Sequence, residues 1–135
     1  MTRANETMFD VLAAQGPSPE RAAGLMLYGQ FIGAWDGTVV VHRRDGTHRE
    51  ESCEVYFGWV LEGKAVQDVW IAPARKDRAT PGRSAEKDIY GTTLRVFDPE
   101  RDVWEVFWID PNTLSFTRLT GRCRWSSGYV VSCTP

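Results

Sequence analysis

From Phe31 onward the chain alternates apolar and polar residues with a period of two, and short turns join the alternating stretches. Apart from one long loop the connections are short and leave no room for crossover helices, so the strands should pair antiparallel with their sequence neighbours. The period predicts strands over 31–42, 49–61, 64–72, 88–97, 103–109, 113–120 and 124–132. The first puts Phe31, Gly33, Trp35, Gly37, Val39 and Val41 on one face. The second gathers Cys53, Val55, Phe57, Trp59 and Leu61, with Glu50, Ser52 and Glu54 opposite. Asp45-Gly46 is a hairpin signal, and Glu62-Gly63 turns the chain again. Phe97-Asp98-Pro99 and Ile109-Asp110-Pro111 recur twelve residues apart, the step of a meander. In each, Pro presets φ and Asp is placed to accept a local backbone hydrogen bond.

Two segments fall outside this pattern. Residues 1–17 read as a loosely helical lead-in closed by Gly16-Pro17. Ser18 as N-cap, Pro19 and Glu20 then open a short helix that carries Leu25 and Tyr28 and ends at Gly29. Residues 73–87 hold two prolines, one glycine, five basic and two acidic residues, and read as a long exposed loop. The expected organisation is one domain, with residues 1–30 as lead-in and helix and 31–135 as an all-β, antiparallel up-and-down barrel of seven to eight strands. A barrel closes the edges that an open sheet exposes; a β-sandwich is the alternative. Seven strands is one short of the usual eight, so the barrel is open, is completed by a partner strand, or has an altered C-terminus.

Composition excludes several classes. Six Trp, six Phe and four Tyr are too many aromatics for a disordered chain. Sixteen Lys and Arg against eighteen Asp and Glu argue against a nucleic-acid binder. No apolar run approaches the roughly 20 residues of a membrane span. Met1 to Asp10 leads into no apolar h-region, so the expected compartment is the cytoplasm. Cys53, Cys123 and Cys133 lack C-x-x-C spacing and read as reduced thiols, with a Cys123–Cys133 disulfide conceivable across a terminal hairpin. No metal site is expected, since His42 and His48 flank a turn without a partner at ligand spacing. Haem ligation by either has no further support, and no cofactor is expected.

Gly33-Ala34-Trp35, behind a short helix, resembles the G-x-W signature on the first strand of lipocalins and other calycins. The run from Phe57 through Gly58, Trp59, Val60, Leu61, Glu62, Gly63, Lys64, Ala65, Val66, Gln67, Asp68 and Val69 to Trp70 resembles bacterial lipocalin-like proteins of the DUF1579 type. Tyr90-Gly91-Thr92-Thr93-Leu94-Arg95-Val96-Phe97-Asp98-Pro99, with Trp104 and Trp108 beyond it, fits the same group. The resemblance covers residues 30–121. It implies a calycin-like barrel, a Trp35 packed across its closed end beside the helix, and an apolar ligand. It carries over no catalytic residue.

Trp59, Trp70, Trp104 and Trp108 can line a pocket for a flat apolar molecule, with indole N–H groups for its polar tip; the alternative is dense core packing. Gln67, Asp68, Thr93, Arg95 and Arg118 interrupt apolar β stretches. Period two sends either Gln67 or Asp68 inward, and either Leu94 or Arg95. A buried charge needs a partner, so an internal Asp68–Arg95 or Asp68–Arg118 pair is the expected solution. Gln67, Arg95 and Arg118 are the candidates for a ligand's polar end, unless the two arginines sit on the outer wall. The basic loop can draw an anion to the barrel mouth or simply be solvated. No nucleophile elbow, phosphate loop or zinc motif is present, and no catalytic residue is assigned. The reading is therefore an intracellular lipocalin-like protein that binds a small apolar or aromatic molecule. Two alternatives stand beside it. One is a cyclase-, dehydratase- or isomerase-type enzyme on an aromatic or polyketide-like substrate, with Asp68 or Tyr90 as proton relay. The other is a homodimeric interaction module.

Overall fold

The computed structural model describes residues 5–86, 88–126 and 129–134, with side chains as far as Arg122. Thr7 opens α1 (Met8–Leu12) with a reciprocal capping box to Asp10. A two-residue strand, β1 (Ala13–Ala14), follows, then α2 (Ala22–Gly29). The sheet continues with β2 (Gly33–His42), β3 (His48–Val60) and β4 (Ala65–Ala72). After the loop come β5 (Ile89–Asp98), β6 (Val103–Asp110), β7 (Ser115–Ser126) and β8 (Tyr129–Thr134).

Every pairing is antiparallel, and from β2 to β8 each strand lies beside its sequence neighbour. The antiparallel up-and-down arrangement expected from the alternation is the one the chain adopts. The sheet is not closed: among the described residues no strand pairing joins β8 to β2. β1 sits in line with β2 along the same edge of β3, Ala13 opposite Val60 and Ala14 opposite Trp59.

The meander corners form as their residues dictate. Asp98 Oδ1 accepts from the backbone N–H of Glu100 and Arg101, and Asp110 Oδ1 from that of Asn112 at 3.0 Å. Gly63, at φ +73°, lies against the Gly16–Pro17 backbone, where the Ser18 N–H donates to its carbonyl at 2.8 Å. A side chain there would strike the Gly16 carbonyl, so glycine lets the lead-in dock on the β3–β4 turn.

Three local expectations need correction. Ser18 does not cap α2; its carbonyl accepts from Arg21 in a preceding turn, and the helix begins one residue later without a side-chain cap. Gly29 does not end α2 in a left-handed cap. It is the buried last helical residue because the Trp59 indole packs on it, within 2.5 Å of where a Cβ would stand. The separate strands expected over 113–120 and 124–132 are one long β7 followed by a later β8, since nothing between Thr120 and Arg124 breaks the ladder. The register sets Cys123 opposite Cys133; the side chains of the conceivable disulfide lie outside the described residues.

The register sorts the strand side chains onto two faces. One carries Phe57 and Trp59 of β3, Val66, Asp68 and Trp70 of β4, and Gly91, Thr93, Arg95 and Phe97 of β5. Trp104, Val106 and Trp108 of β6 and Leu119 of β7 continue it. α2 lies on this face, where Leu25 and Leu27 form the core with Trp59, Val66 and Trp104. A second cluster, Cys53, Val55 and Ala72 with Val39, Trp70 and Ile89 around it, lies further along the same face.

The segment after β4 is exposed over most of its length, as expected, and is tied to the sheet at several points. Ala74 is buried and its N–H bonds to Ser52, and a short 3-10 turn follows at Arg75–Asp77. Its arginines hold it to the sheet. Arg75 Nη2 meets Glu54 Oε2 at 2.7 Å, Arg78 donates to the carbonyls of Pro73 and Ile89, and Arg83 grips Asp88 through two bonds of 2.5 and 2.7 Å.

Candidate functional site

Five of the seven sequence candidates, Trp59, Trp70, Arg95, Trp104 and Trp108, share the α2 face. Gln67 and Arg118, expected beside them, do not. Gln67 alternates with Val66 and Asp68, so it points to the opposite face, where it donates to Thr92 Oγ1 at 2.9 Å. Arg118 stands opposite Phe107 on that same outer face and lies beside Glu105 at 3.4 Å. A ligand on the α2 face meets neither.

The centre of the site is Asp68. It is fully buried, and its carboxylate forms an ion pair with the Arg95 guanidinium while accepting from the Thr93 N–H at 3.1 Å. Opposed registers make this pair. Asp68 faces Thr93 across β4–β5, which sets Arg95 two residues along on the same face. The Arg95 side chain is 12% exposed and lies between two rings, with Tyr28 of α2 at 4.7 Å and Phe57 at 5.4 Å from its guanidinium carbon. Cation–π attraction adds about 1–2 kcal/mol per ring when the cation is desolvated. Arg95 Nε is buried without a hydrogen-bond partner among the described residues. The sequence offered Arg95 or Arg118 as the partner of Asp68, and the structure pairs it with Arg95; nothing in the sequence marked the Tyr28 and Phe57 rings that enclose the guanidinium. Tyr28 lies 67 residues away in the chain, and only the docking of α2 brings it there.

The four tryptophans play different parts. Trp59 and Trp104 are core: Trp59 packs on Gly29, and Trp104 meets Tyr28 edge-on at 4.7 Å and Phe97 at 5.3 Å. Trp70 and Trp108 are only half-buried and flank Gly91. The Trp108 indole lies over that glycine, within 2.5 Å of a Cβ position, so no side chain fits beneath it. Trp35, expected as a plug beside the helix, is 51% exposed, its indole N–H donating to the Phe31 carbonyl at 2.6 Å. Its strand lies at the sheet edge and α2 does not cover it.

Tyr90 is exposed on the opposite face from Asp68, with the Arg78 guanidinium 5.7 Å from its ring. His42 and His48 face each other across the hairpin, exposed, with ring centroids 6.2 Å apart. Among the described residues no three His, Cys, Asp or Glu stand together as metal ligands, and no helix is long and apolar enough to cross a membrane. The basic loop does not offer its guanidinium groups to an anion, because Glu54 and Asp88 already engage Arg75, Arg78 and Arg83. The hydrogen bonds of Arg83 hold the Asp88 carboxyl below its ordinary range.

Two hollows have fully described walls. One of about 410 Å³ lies between Val11 of α1 and the β3–β4 turn, with Leu61, Lys64 and Val96 in its wall. One of about 220 Å³ lies on the outer face between Val69, Tyr90 and Ile109. Neither contains Arg95.

No family model, curated protein or solved structure matches this chain.

The latch at Glu54 has a pH signature. Hydrogen bonds from Arg75 and then from the Tyr56 hydroxyl lower its carboxyl from an ordinary 4.5 to about 2. Its folded-state pKa is thus depressed, so this stabilisation is present above about pH 4.5 and is lost as pH falls toward about 2. Urea midpoints measured across that window should fall in the native protein, and Arg75→Ala should reduce the fall. An equal fall in both would detach the pH response from this contact.

Proposed function

We propose that the α2 face of the sheet binds a small, flat, largely apolar molecule, in the manner of a cytoplasmic lipocalin-like carrier. The observation that carries this reading is Arg95. Its part-buried guanidinium lies between two aromatic rings, and its buried Nε donor has no partner among the described residues. A buried donor left unbonded costs about 1–3 kcal/mol, which a ligand acceptor would recover. Half-buried Trp70 and Trp108 on the same face supply stacking surface. The up-and-down strand order and the resemblance of residues 30–121 to lipocalin-like proteins point the same way.

The charge count narrows the ligand. Asp68 already neutralises Arg95, so a carboxylate arriving there would bury an uncompensated negative charge. A neutral oxygen acceptor, such as a ketone or phenol, would not. The expected ligand is thus an uncharged aromatic with one oxygen, rather than a fatty acid.

Isothermal titration with 2-naphthol and 2-naphthoate tests this. The account expects the phenol to bind more tightly than the acid, and Trp108→Ala to weaken the phenol about tenfold, equivalent to about 1.4 kcal/mol. Tighter binding of the acid, or phenol binding untouched by Trp108→Ala, would remove the α2 face from consideration.

A further inference from the structure

β2 is hydrogen-bonded to β3 along its whole length, Gly33 opposite Phe57 through His42 opposite His48. Its other edge meets no strand among the described residues. Beyond its end, the Arg43 N–H donates to the Thr47 carbonyl at 2.8 Å, closing the hairpin on Gly46 at φ +84°. An antiparallel ladder bonds alternate residues, so odd-numbered positions of β2 turn their N–H and C=O toward β3. Ala34, Asp36, Thr38, Val40 and His42 therefore turn theirs outward.

Natural edge strands are guarded by proline, lysine, bulges or shortness. This one is ten residues long, contains neither proline nor lysine, and keeps unbroken register with β3. Thr38-Val39-Val40-Val41 is a β-branched run of high strand propensity, and Asp36 is the only charge. Such an edge is a pairing surface.

We propose that β2 pairs antiparallel with β2 of a second copy of this chain, across a two-fold axis at Val39. That axis sets Asp36 opposite the partner's His42 and Thr38 opposite the partner's Val40. These are the outward-turned residues, so each pair exchanges two bonds, and about eight new main-chain hydrogen bonds form. The side chains agree with the same register. The lone carboxylate of the strand meets an imidazole at both ends of the interface. On the other face, exposed Trp35 comes opposite the partner's Arg43, a cation–π arrangement. A two-fold contact is self-complementary and closes at two copies, whereas pairing β2 with another copy's β8 would not close.

Sedimentation equilibrium of the full chain tests the pairing. The native protein should run at twice its 15.3 kDa. Val40→Pro removes an outward N–H only, so it should give a folded monomer with an unchanged circular dichroism spectrum. His42→Asp, at an exposed position, sets like charges opposite each other twice and should weaken association at least tenfold. Adding Asp36→Lys to His42→Asp should restore the dimer. Should Val40→Pro fail to fold, the His42→Asp series alone decides. A native monomer in the hundred-micromolar range, assemblies larger than two, or a His42→Asp protein that dimerises like the native one would each overturn the proposal.

Discussion

Arg95→Ala is expected to destabilise the protein by about 3–5 kcal/mol, because it leaves the Asp68 carboxylate buried without its counter-charge. Asp68 has no access to solvent, and its other bond is a single backbone N–H from Thr93. Asp68→Ala should cost a similar amount, since it strands the guanidinium between Tyr28 and Phe57. The double replacement Asp68→Leu with Arg95→Met should recover most of the loss, because two apolar side chains need neither desolvation nor pairing. Urea unfolding of the three variants gives the comparison. Losses that simply add in the double variant would show that the two residues act independently, against the geometry. The same double variant should lose 2-naphthol binding even as it regains stability, which separates the ligand role of Arg95 from its structural one.

Trp104→Ala should cost about 3–5 kcal/mol, the range for emptying a large aromatic from a packed core. Its ring is buried where β6 meets α2, edge-on to Tyr28 and beside Phe97, and the Leu25–Leu27 cluster closes over it. The resulting cavity lies between helix and sheet, so α2 should loosen first and its amide protons lose protection against exchange. Trp35→Ala gives the contrast. An exposed side chain on the edge strand should change stability by within about 0.5 kcal/mol. Comparable losses from the two would contradict the assignment of Trp104 to the core and Trp35 to the edge.

The strand order was legible because alternation and short turns leave an antiparallel chain few other arrangements. The two Asp-Pro corners formed as their chemistry requires, for the same local reason. Which polar residues share the α2 face was half legible. β4 is apolar on both sides, with Val66 and Trp70 facing α2 and Ala65, Val69 and Ile71 opposite. Alternation alone therefore could not choose between Gln67 and Asp68. A buried charge needs an opposite one, but the sequence offered both Arg95 and Arg118; only the register shows that Arg95 falls on the face of Asp68. Arg118 misled because Phe107, Ile109 and Phe116 make the outer face of β6–β7 apolar too, so apolar neighbours did not mark the inside.

The loop is exposed over most of its length, as the solvated reading expects, but the ion pairs of its arginines were not legible because composition counts charges without their partners. Glu54 and Asp88 lie on or beside neighbouring strands, and only the fold brings them to Arg75 and Arg83. Tyr28 was legible as a residue of the short helix, whereas its ring beside Arg95 depends on how α2 crosses the sheet. Long-range contacts of that kind leave no periodic trace.

The central claim is that the α2 face holds a ligand at Arg95 and Trp108. Native mass spectrometry of the protein purified without denaturation tests it most directly. The account predicts an uncharged, aromatic, oxygen-bearing molecule bound to the native chain and absent from Trp108→Ala and from the Asp68→Leu, Arg95→Met double variant. The same molecule retained by both variants, or an acidic lipid in its place, would contradict it.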